Sequence, residues 1–291
     1  NLTLENIQGL GWPYVVTDDL TIGETGILTV PAGTVIKVEY NSSSTYSRDI
    51  FVEGILDLQG TSFSPVVITS IRDDSYGGDT NGDSFETEPS GGDWGYIKYT
   101  NSDNVIRNAI IKYGGRNYKM IWGYGSAPLI ENCEISDASW NSACAAIYLE
   151  DVQEEVSTVR NNLINNSDYG IRYDNSMMSS SITGNTFSNI SKYSIYYSGS
   201  SGYFEINTPT ISTNMIHEGS GSGTGIYCSY IKETSQISNN TISDISSAFA
   251  FSNCSPQVTG NSISLITYVP MKHINTANPV YSNNEYTQII Y

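Results

Sequence analysis

Six segments repeat one pattern: VRNNLI at 159–164, ITGNTF at 182–187, ISTNMI at 211–216, ISNNTI at 237–242, VTGNSI at 258–263 and YSNNEY at 281–286. In each, asparagine follows an apolar or aromatic residue by three positions and precedes another by two. Successive asparagines are 23, 29, 26, 21 and 23 residues apart. Such spacing is typical of stacked units, each too small to bury its own apolar side. Two earlier segments, Ile106-Ala109-Ile111 and Ile130-Cys133-Ile135, fit with the asparagine replaced, so the repeat covers most of the chain.

The pattern within each unit indicates β-strands rather than helices, because apolar residues alternate with Ser, Thr and Asn over short runs. A further short strand follows about ten residues after each asparagine, as at Ile171 to Tyr173 after Asn162. Gly, Ser and Asn, which tolerate left-handed turns, separate the strands. We therefore expect parallel coils stacked about 4.8 Å apart. The inward asparagine of each coil would then hydrogen-bond to the asparagine of the next coil.

The turns that contain these asparagines resemble those of a known family. Thr183-Gly184-Asn185, Ser238-Asn239-Asn240 and Thr259-Gly260-Asn261 are similar to the Gly-Asn and Asn-Asn turns of right-handed parallel β-helix proteins. Residues 28–36 and 54–61 resemble the opening coils of secreted bacterial members. The resemblance implies one all-β domain over residues 1–291, a right-handed parallel β-helix of roughly ten to twelve coils. We expect a cap and first coils in 1–70, an acidic loop insertion in 71–93 and repeat coils in 94–291.

Charge and composition limit the partners. With 30 acidic and 13 basic residues the net charge is −17, which disfavours nucleic acid, anionic membranes and pectic acids. No run of eighteen apolar residues is present, so we expect no membrane span. Without a signal segment at Asn1, we expect a mature protein or an excised domain that is monomeric and secreted or cell-surface. Cys133, Cys144, Cys228 and Cys254 fit either disulfides or buried free thiols, and their spacing matches no zinc motif.

One long stretch, residues 72–93, interrupts the repeat and is rich in acidic residues. Asp79, Asn81 and Asp83 alternate as the first three oxygen ligands of a calcium loop do. The Asp-Thr-Asn-Gly-Asp segment resembles an insertion that recurs in secreted β-helix proteins before a Gly-Asp-Trp strand, here Gly92-Asp93-Trp94. The further candidate ligands are Asp73, Asp74, Glu86, Glu88 and Asp93. The sequence therefore predicts a structural calcium ion, and the alternative is a solvated acidic loop held by Asx-turns.

The later strands predict one outward column of side chains. If Ile121, Ile147, Ile171, Ile195, Ile226 and Phe249 face inward, the residue after each faces outward. That column reads Trp122, Tyr148, Arg172, Tyr196, Tyr227, Ala250 and Lys272. Aromatic rings stack on sugar C–H faces, while phenol and guanidinium groups hydrogen-bond to sugar hydroxyls. We therefore predict binding of an insoluble or polymeric neutral glycan such as cellulose. The alternative is that tyrosine is a common strand residue and falls in columns by chance.

A flat aromatic face on a β-helix is similar in architecture to the tapirins, cellulose-binding surface proteins, which implies non-catalytic adhesion to polysaccharide. Many β-helix proteins are instead polysaccharide lyases or hydrolases. Glu150 and Asp174 occupy the same position in adjacent coils, near the separation that a retaining glycosidase uses, and Arg172 is close by. The sequence lacks the Asp-Asp and Gly-His-Gly motifs of inverting pectinases of this fold. We favour adhesion over catalysis, with a ligand-free surface stalk as a third alternative.

Overall fold

The computed structural model describes residues 1–5, 12–42, 46–138, 143–153, 156–177, 179–202, 206–218 and 223–289. The described residues form β-strands joined by turns, and none of them belongs to a helix long and apolar enough to cross a membrane. The strands are β1 (Leu2–Thr3), β2 (Tyr14–Val16), β3 (Leu20–Ile22), β4 (Ile27–Pro31), β5 (Val35–Val38), β6 (Ile50–Val52), β7 (Ile55–Gln59), β8 (Val66–Ser70), β9 (Ile97–Tyr99), β10 (Val105–Arg107), β11 (Ala109–Lys112), β12 (Lys119–Tyr124), β13 (Leu129–Glu131), β14 (Glu134–Ser136), β15 (Ala145–Glu150), β16 (Ser157–Arg160), β17 (Leu163–Ser176), β18 (Ser180–Thr183), β19 (Thr186–Gly199), β20 (Thr210–Ser212), β21 (Met215–His217), β22 (Thr224–Ser229), β23 (Gln236–Ser238), β24 (Thr241–Ile245), β25 (Ser247–Ser252), β26 (Gln257–Thr259), β27 (Ser262–Ile266), β28 (Met271–Ile274), β29 (Val280–Ser282) and β30 (Glu285–Ile289).

The strands form a parallel β-solenoid with three faces. Face 1 stacks β1, β4, β7, β10, β13, β16, β18, β20, β23, β26 and β29. Face 2 stacks β2, β5, β8, β11, β14, the first halves of β17 and β19, then β21, β24, β27 and β30. Face 3 stacks β3, β6, β9, β12, β15, the second halves of β17 and β19, then β22, β25 and β28. Eleven described strands therefore lie on face 2, which confirms the predicted number of coils.

Apolar side chains from all three faces fill the interior in rows. The residues before the asparagines, such as Ile182 and Ile211, pair in register on face 1, and those after them, such as Phe187 and Ile216, do so on face 2. All four side chains are fully buried. Because side chains alternate along a strand, one inward residue per strand fixes which residues of every coil face solvent.

The repeated asparagines form the predicted asparagine ladder inside the solenoid, through Asn162, Asn185, Asn214, Asn240, Asn261 and Asn284. The Asn185 amide nitrogen Nδ2 donates to Asn214 Oδ1 at 3.0 Å and to the Val159 carbonyl at 2.9 Å. Its Oδ1 accepts from both nitrogens of Asn162, at 2.9 and 3.1 Å. The ladder therefore satisfies polar groups that the turns bury.

The predicted acidic loop is present, since no strand lies between Ser70 and Ile97. Its end is fixed by Trp94, which is fully buried and donates from Nε1 to the Lys112 carbonyl at 2.8 Å. Arg116 donates from Nε to the Gly92 carbonyl at 2.9 Å. The following coil thus anchors the loop.

The four cysteines are free and buried, so the structure contains thiols where the sequence left disulfides open. Burial raises the pKa of both Cys133 and Cys254 to about 12. These thiols are therefore protonated near neutral pH and serve as small apolar side chains.

Candidate functional site

The outward column of face 3 has the register that the sequence predicts. Trp122, Tyr148, Arg172, Tyr196, Tyr227, Ala250 and Lys272 follow one another as direct partners in adjacent strands. The inward column before it, from Ile121 to Phe249, is fully buried. Lys98 and Phe51 extend the outward column toward the N-terminus. The stacked coils therefore bring these side chains onto one surface.

Two tyrosines that the sequence analysis missed widen this surface. Tyr169 and Tyr193 pair in register, and their rings lie 5.5 Å apart. Tyr193 also lies 5.3 Å from Tyr196 and 5.6 Å from Tyr227. Simple alternation would turn Tyr169 inward with Ile171, but a register shift at the corner between faces 2 and 3 leaves Tyr169 half-exposed. We call Tyr169, Tyr193, Tyr196 and Tyr227 the tyrosine block.

Two rings of the tyrosine block, those of Tyr196 and Tyr227, stack face to face. Tyr196 and Tyr227 lie on neighbouring coils with ring centroids 4.6 Å apart and planes only 7° from parallel. The two rings therefore cover one another's faces and point their edges and hydroxyls outward. The sequence predicted both ring-face and phenol contacts with a sugar, and in this pair the ring faces that meet are not free for the first kind of contact.

The hydroxyls of the tyrosine block are available for a ligand. Within the described residues, none of the four has a hydrogen-bond partner. Burial raises the pKa of Tyr196 to about 12 and also raises the pKa values of Tyr169 and Tyr193. The phenols of Tyr169, Tyr193 and Tyr196 are therefore protonated near neutral pH, and each can donate and accept a hydrogen bond.

The two candidate catalytic carboxylates, Glu150 and Asp174, both form hydrogen bonds or ion pairs with neighbouring side chains. Asp174 accepts from Tyr148 Oη at 2.8 Å and forms an ion pair with Arg172 at 2.6 Å. Glu150, the register neighbour of Asp174, accepts from the Trp122 indole nitrogen at 3.2 Å. Burial and the bond to Asp174 raise the pKa of Tyr148 well above its usual value. Asp174 thus serves as the counter-ion of Arg172 and the acceptor for Tyr148.

In the acidic loop, three of the predicted calcium ligands come together. Carboxylate oxygens of Asp74, Asp79 and Asp83 lie within 4.8 Å of one another. Asn81 is adjacent and donates from Nδ2 to Asp83 Oδ2 at 2.8 Å. Asp93 lies apart from this group, because it is buried and accepts from Ser70 Oγ at 2.6 Å. The structure therefore groups Asp74, Asp79, Asp83 and Asn81 and places Asp93 apart.

Two features of this acidic group bear on a bound cation. Asp79 accepts from the backbone nitrogens of Gly82 and Ser84, at 2.7 and 2.9 Å, as the Asx-turn alternative expects. Asp74 Oδ1, however, is buried without a hydrogen-bond partner among the described residues. Burial raises the pKa of Asp74, and the neighbouring Asp79 and Asp83 raise it further against the attraction of Lys37. An oxygen-seeking divalent cation would satisfy the orphaned oxygen and relieve this repulsion.

Comparison with known proteins agrees with the architecture. The family model described as "Right handed beta helix region" matches residues 80–208. The described coils therefore have the fold that this model describes, a right-handed parallel β-helix. No curated protein sequence matches this β-helix.

Two solved structures are similar to this β-helix at low identity. An alginate lyase from Paenibacillus sp. str. FPU-7 is 14% identical with a TM-score of 0.40, over 89% of this chain and 91% of that one. The surface protein and adhesin PfbA of Streptococcus pneumoniae is 11% identical with a TM-score of 0.31, over 96% of this chain and 91% of that one. Both are too distant to assign a function.

Proposed function

We propose that this β-helix binds a neutral polysaccharide without cleaving it, as a secreted or cell-surface adhesion module. The observation that carries the proposal is the tyrosine block, whose four unpartnered hydroxyls lie on three consecutive coils. A row of phenols offers repeated donors and acceptors at the 4.8 Å spacing of the coils. Ring edges between the phenols supply apolar contact for sugar C–H groups. An extended chain of sugars can therefore make the same contacts on coil after coil.

The arrangement of the carboxylates favours binding over hydrolysis. A retaining glycosidase needs one carboxylate free to attack the sugar and a second group to protonate the leaving oxygen. Asp174 is committed to Arg172 and Tyr148. Hydrolysis remains the competing function, and it predicts release of reducing sugar that Glu150→Gln or Asp174→Asn abolishes.

A pull-down on insoluble cellulose, xylan and chitin tests the proposal. Replacing Tyr196 and Tyr227 together by Phe keeps both rings and removes two hydroxyls. We expect at least tenfold weaker adsorption, since each lost hydrogen bond costs about 1 kcal/mol. Tyr46→Phe is the control, because Tyr46 is exposed elsewhere. Equal adsorption by the double variant and the wild type, or sugar release by the wild type, would contradict the proposal.

We also propose that Asp74, Asp79 and Asp83 hold a structural calcium ion. Calcium prefers carboxylate oxygens, and a cation bound only to the folded state stabilises it by about 2.7 kcal/mol at a hundredfold excess over Kd. We therefore expect a chelator to lower the melting temperature by several degrees, measured by calorimetry.

Two variants make the calcium test specific. Asp79→Asn retains an oxygen for the turn nitrogens but loses the charge, so its melting temperature should not respond to chelator. Asp103→Asn alters an exposed aspartate outside the group and should respond as the wild type does. A wild-type melting temperature indifferent to chelator would rule the ion out.

A further inference from the structure

Two lysines converge on one tryptophan at the N-terminal end of the aromatic surface. Lys119 Nζ lies 3.5 Å from the centroid of the Trp122 ring, and Lys98 Nζ lies 4.2 Å from it. Lys98 and Trp122 are direct register partners, and both lysines are half-buried. Within the described residues neither lysine forms a salt bridge, although the chain carries 30 acidic residues.

In the unliganded protein, the surroundings of Lys119 destabilise its charged form. Burial lowers the pKa of Lys119, and Lys98 and Arg172 lower it further, while Glu150 opposes the shift. Glu150 accepts the indole N–H of Trp122, and its register neighbour Asp174 is paired with Arg172. Contact with the aromatic ring offsets part of this cost. An anion bound beside Lys119 would relieve the repulsion that this group experiences from Lys98 and Arg172.

The space beside Lys119 has room for a ligand. Lys119, Tyr148 and Arg172 line an open depression of about 390 Å³, together with Asn117, Tyr118 and Ala143. That volume lies within the range of small-molecule sites. Tyr148 is in the same outward column as Tyr196 and Tyr227, so a chain bound to the tyrosine block can reach the depression.

We infer that Lys98 and Lys119 bind an acidic group, a carboxylate or a sulfate, carried by a glycan whose neutral sugars lie along the tyrosine block. This inference rests on the proposed function and names its substrate class as a sparsely charged polysaccharide. A densely charged polymer would be repelled by the net charge of −17. A single acidic substituent is attracted by the two lysines, because charges beyond about 8 Å are largely screened at physiological salt.

Affinity electrophoresis with matched polymers tests the inference. The probes are a glucuronoxylan, the same polymer with its carboxyl groups reduced to alcohols, and a sparsely sulfated xylan. We expect the wild type to bind at least one charged polymer about tenfold more tightly than the reduced one, with the difference shrinking as salt rises. Lys98→Gln with Lys119→Gln should remove the difference, and Lys98→Arg with Lys119→Arg should retain it. The ratio of the affinities for the glucuronoxylan and the sulfated xylan distinguishes a carboxylate ligand from a sulfate ligand.

The outcomes distinguish failure of the acidic subsite from failure of the proposed polysaccharide binding. Equal binding of all three polymers by the wild type would overturn the acidic subsite. The proposed function would then still stand if Tyr196→Phe with Tyr227→Phe weakens that binding. If none of these polymers or the insoluble glycans binds, both the subsite and the proposed function are wrong. Unchanged melting temperatures of the lysine variants show that a lost difference is not due to unfolding.

Discussion

Replacing Asn185 by Ala is expected to lower the free energy of unfolding by about 3 to 5 kcal/mol. The side chain spans three coils, because it accepts from Asn162 and donates to Asn214 and to the Val159 carbonyl. Alanine would leave a buried amide nitrogen and two buried oxygens short of partners, and each costs about 1 to 3 kcal/mol. The free energy of unfolding of a typical domain is about 5 to 15 kcal/mol, so this one substitution would remove a large fraction of it. Urea denaturation followed by circular dichroism measures the loss.

Asn165→Ala is the matched control for the ladder. Asn165 pairs in register with Ser136 and Ser188 in a column of face 2 and is partly exposed. Because surface substitutions are usually within about 0.5 kcal/mol of neutral, this variant should unfold like the wild type. A loss below about 1 kcal/mol for Asn185→Ala, or equal losses in both variants, would show that the asparagine ladder does not hold the coils together.

Stability is expected to fall by about 3 kcal/mol as pH rises from 4.5 to 7 through the titration of Glu218. This side chain is fully buried, and burial raises its pKa to about 7 although Ser194 Oγ and the Ile190 backbone nitrogen both donate to it. The ordinary pKa of the group, 4.5, applies to the unfolded chain, and the raised pKa of about 7 applies to the folded protein. Between these two values the folded protein holds a proton that the unfolded chain has released. Each rise in pH therefore favours the unfolded chain until the folded group is also ionised.

Glu218→Gln isolates this contribution from the other acidic groups. A glutamine offers one acceptor and one donor, as the protonated carboxyl does, and it cannot ionise. We expect the variant to match the wild type near pH 4 and to be more stable by about 3 kcal/mol at pH 8, from urea titrations at both values. Parallel pH profiles for the two proteins would exclude a titrating Glu218.

Much of the fold was predictable because a repeat constrains every coil alike. The recurrence of Asn162, Asn185 and Asn214 with flanking apolar residues predicted stacked strands, and the alternation along each strand predicted the outward column. Register also follows, since a shift by one residue would turn every apolar side chain to solvent. The grouping of Asp74 with Asp79 and Asp83, and the separation of Asp93, followed no such rule. Those positions depend on the path of an irregular loop.

The sequence by itself determined the parallel coils, the buried asparagine ladder and the column from Trp122 to Tyr227, because one period places equivalent residues above one another. Only the tertiary structure decided that the Tyr196 and Tyr227 rings stack face to face, that a register shift at the corner brings Tyr169 and Tyr193 beside them, and that Lys98 and Lys119 both contact Trp122. Ring angles and corner geometry arise from packing between neighbouring coils, and such contacts leave no periodic trace in the chain.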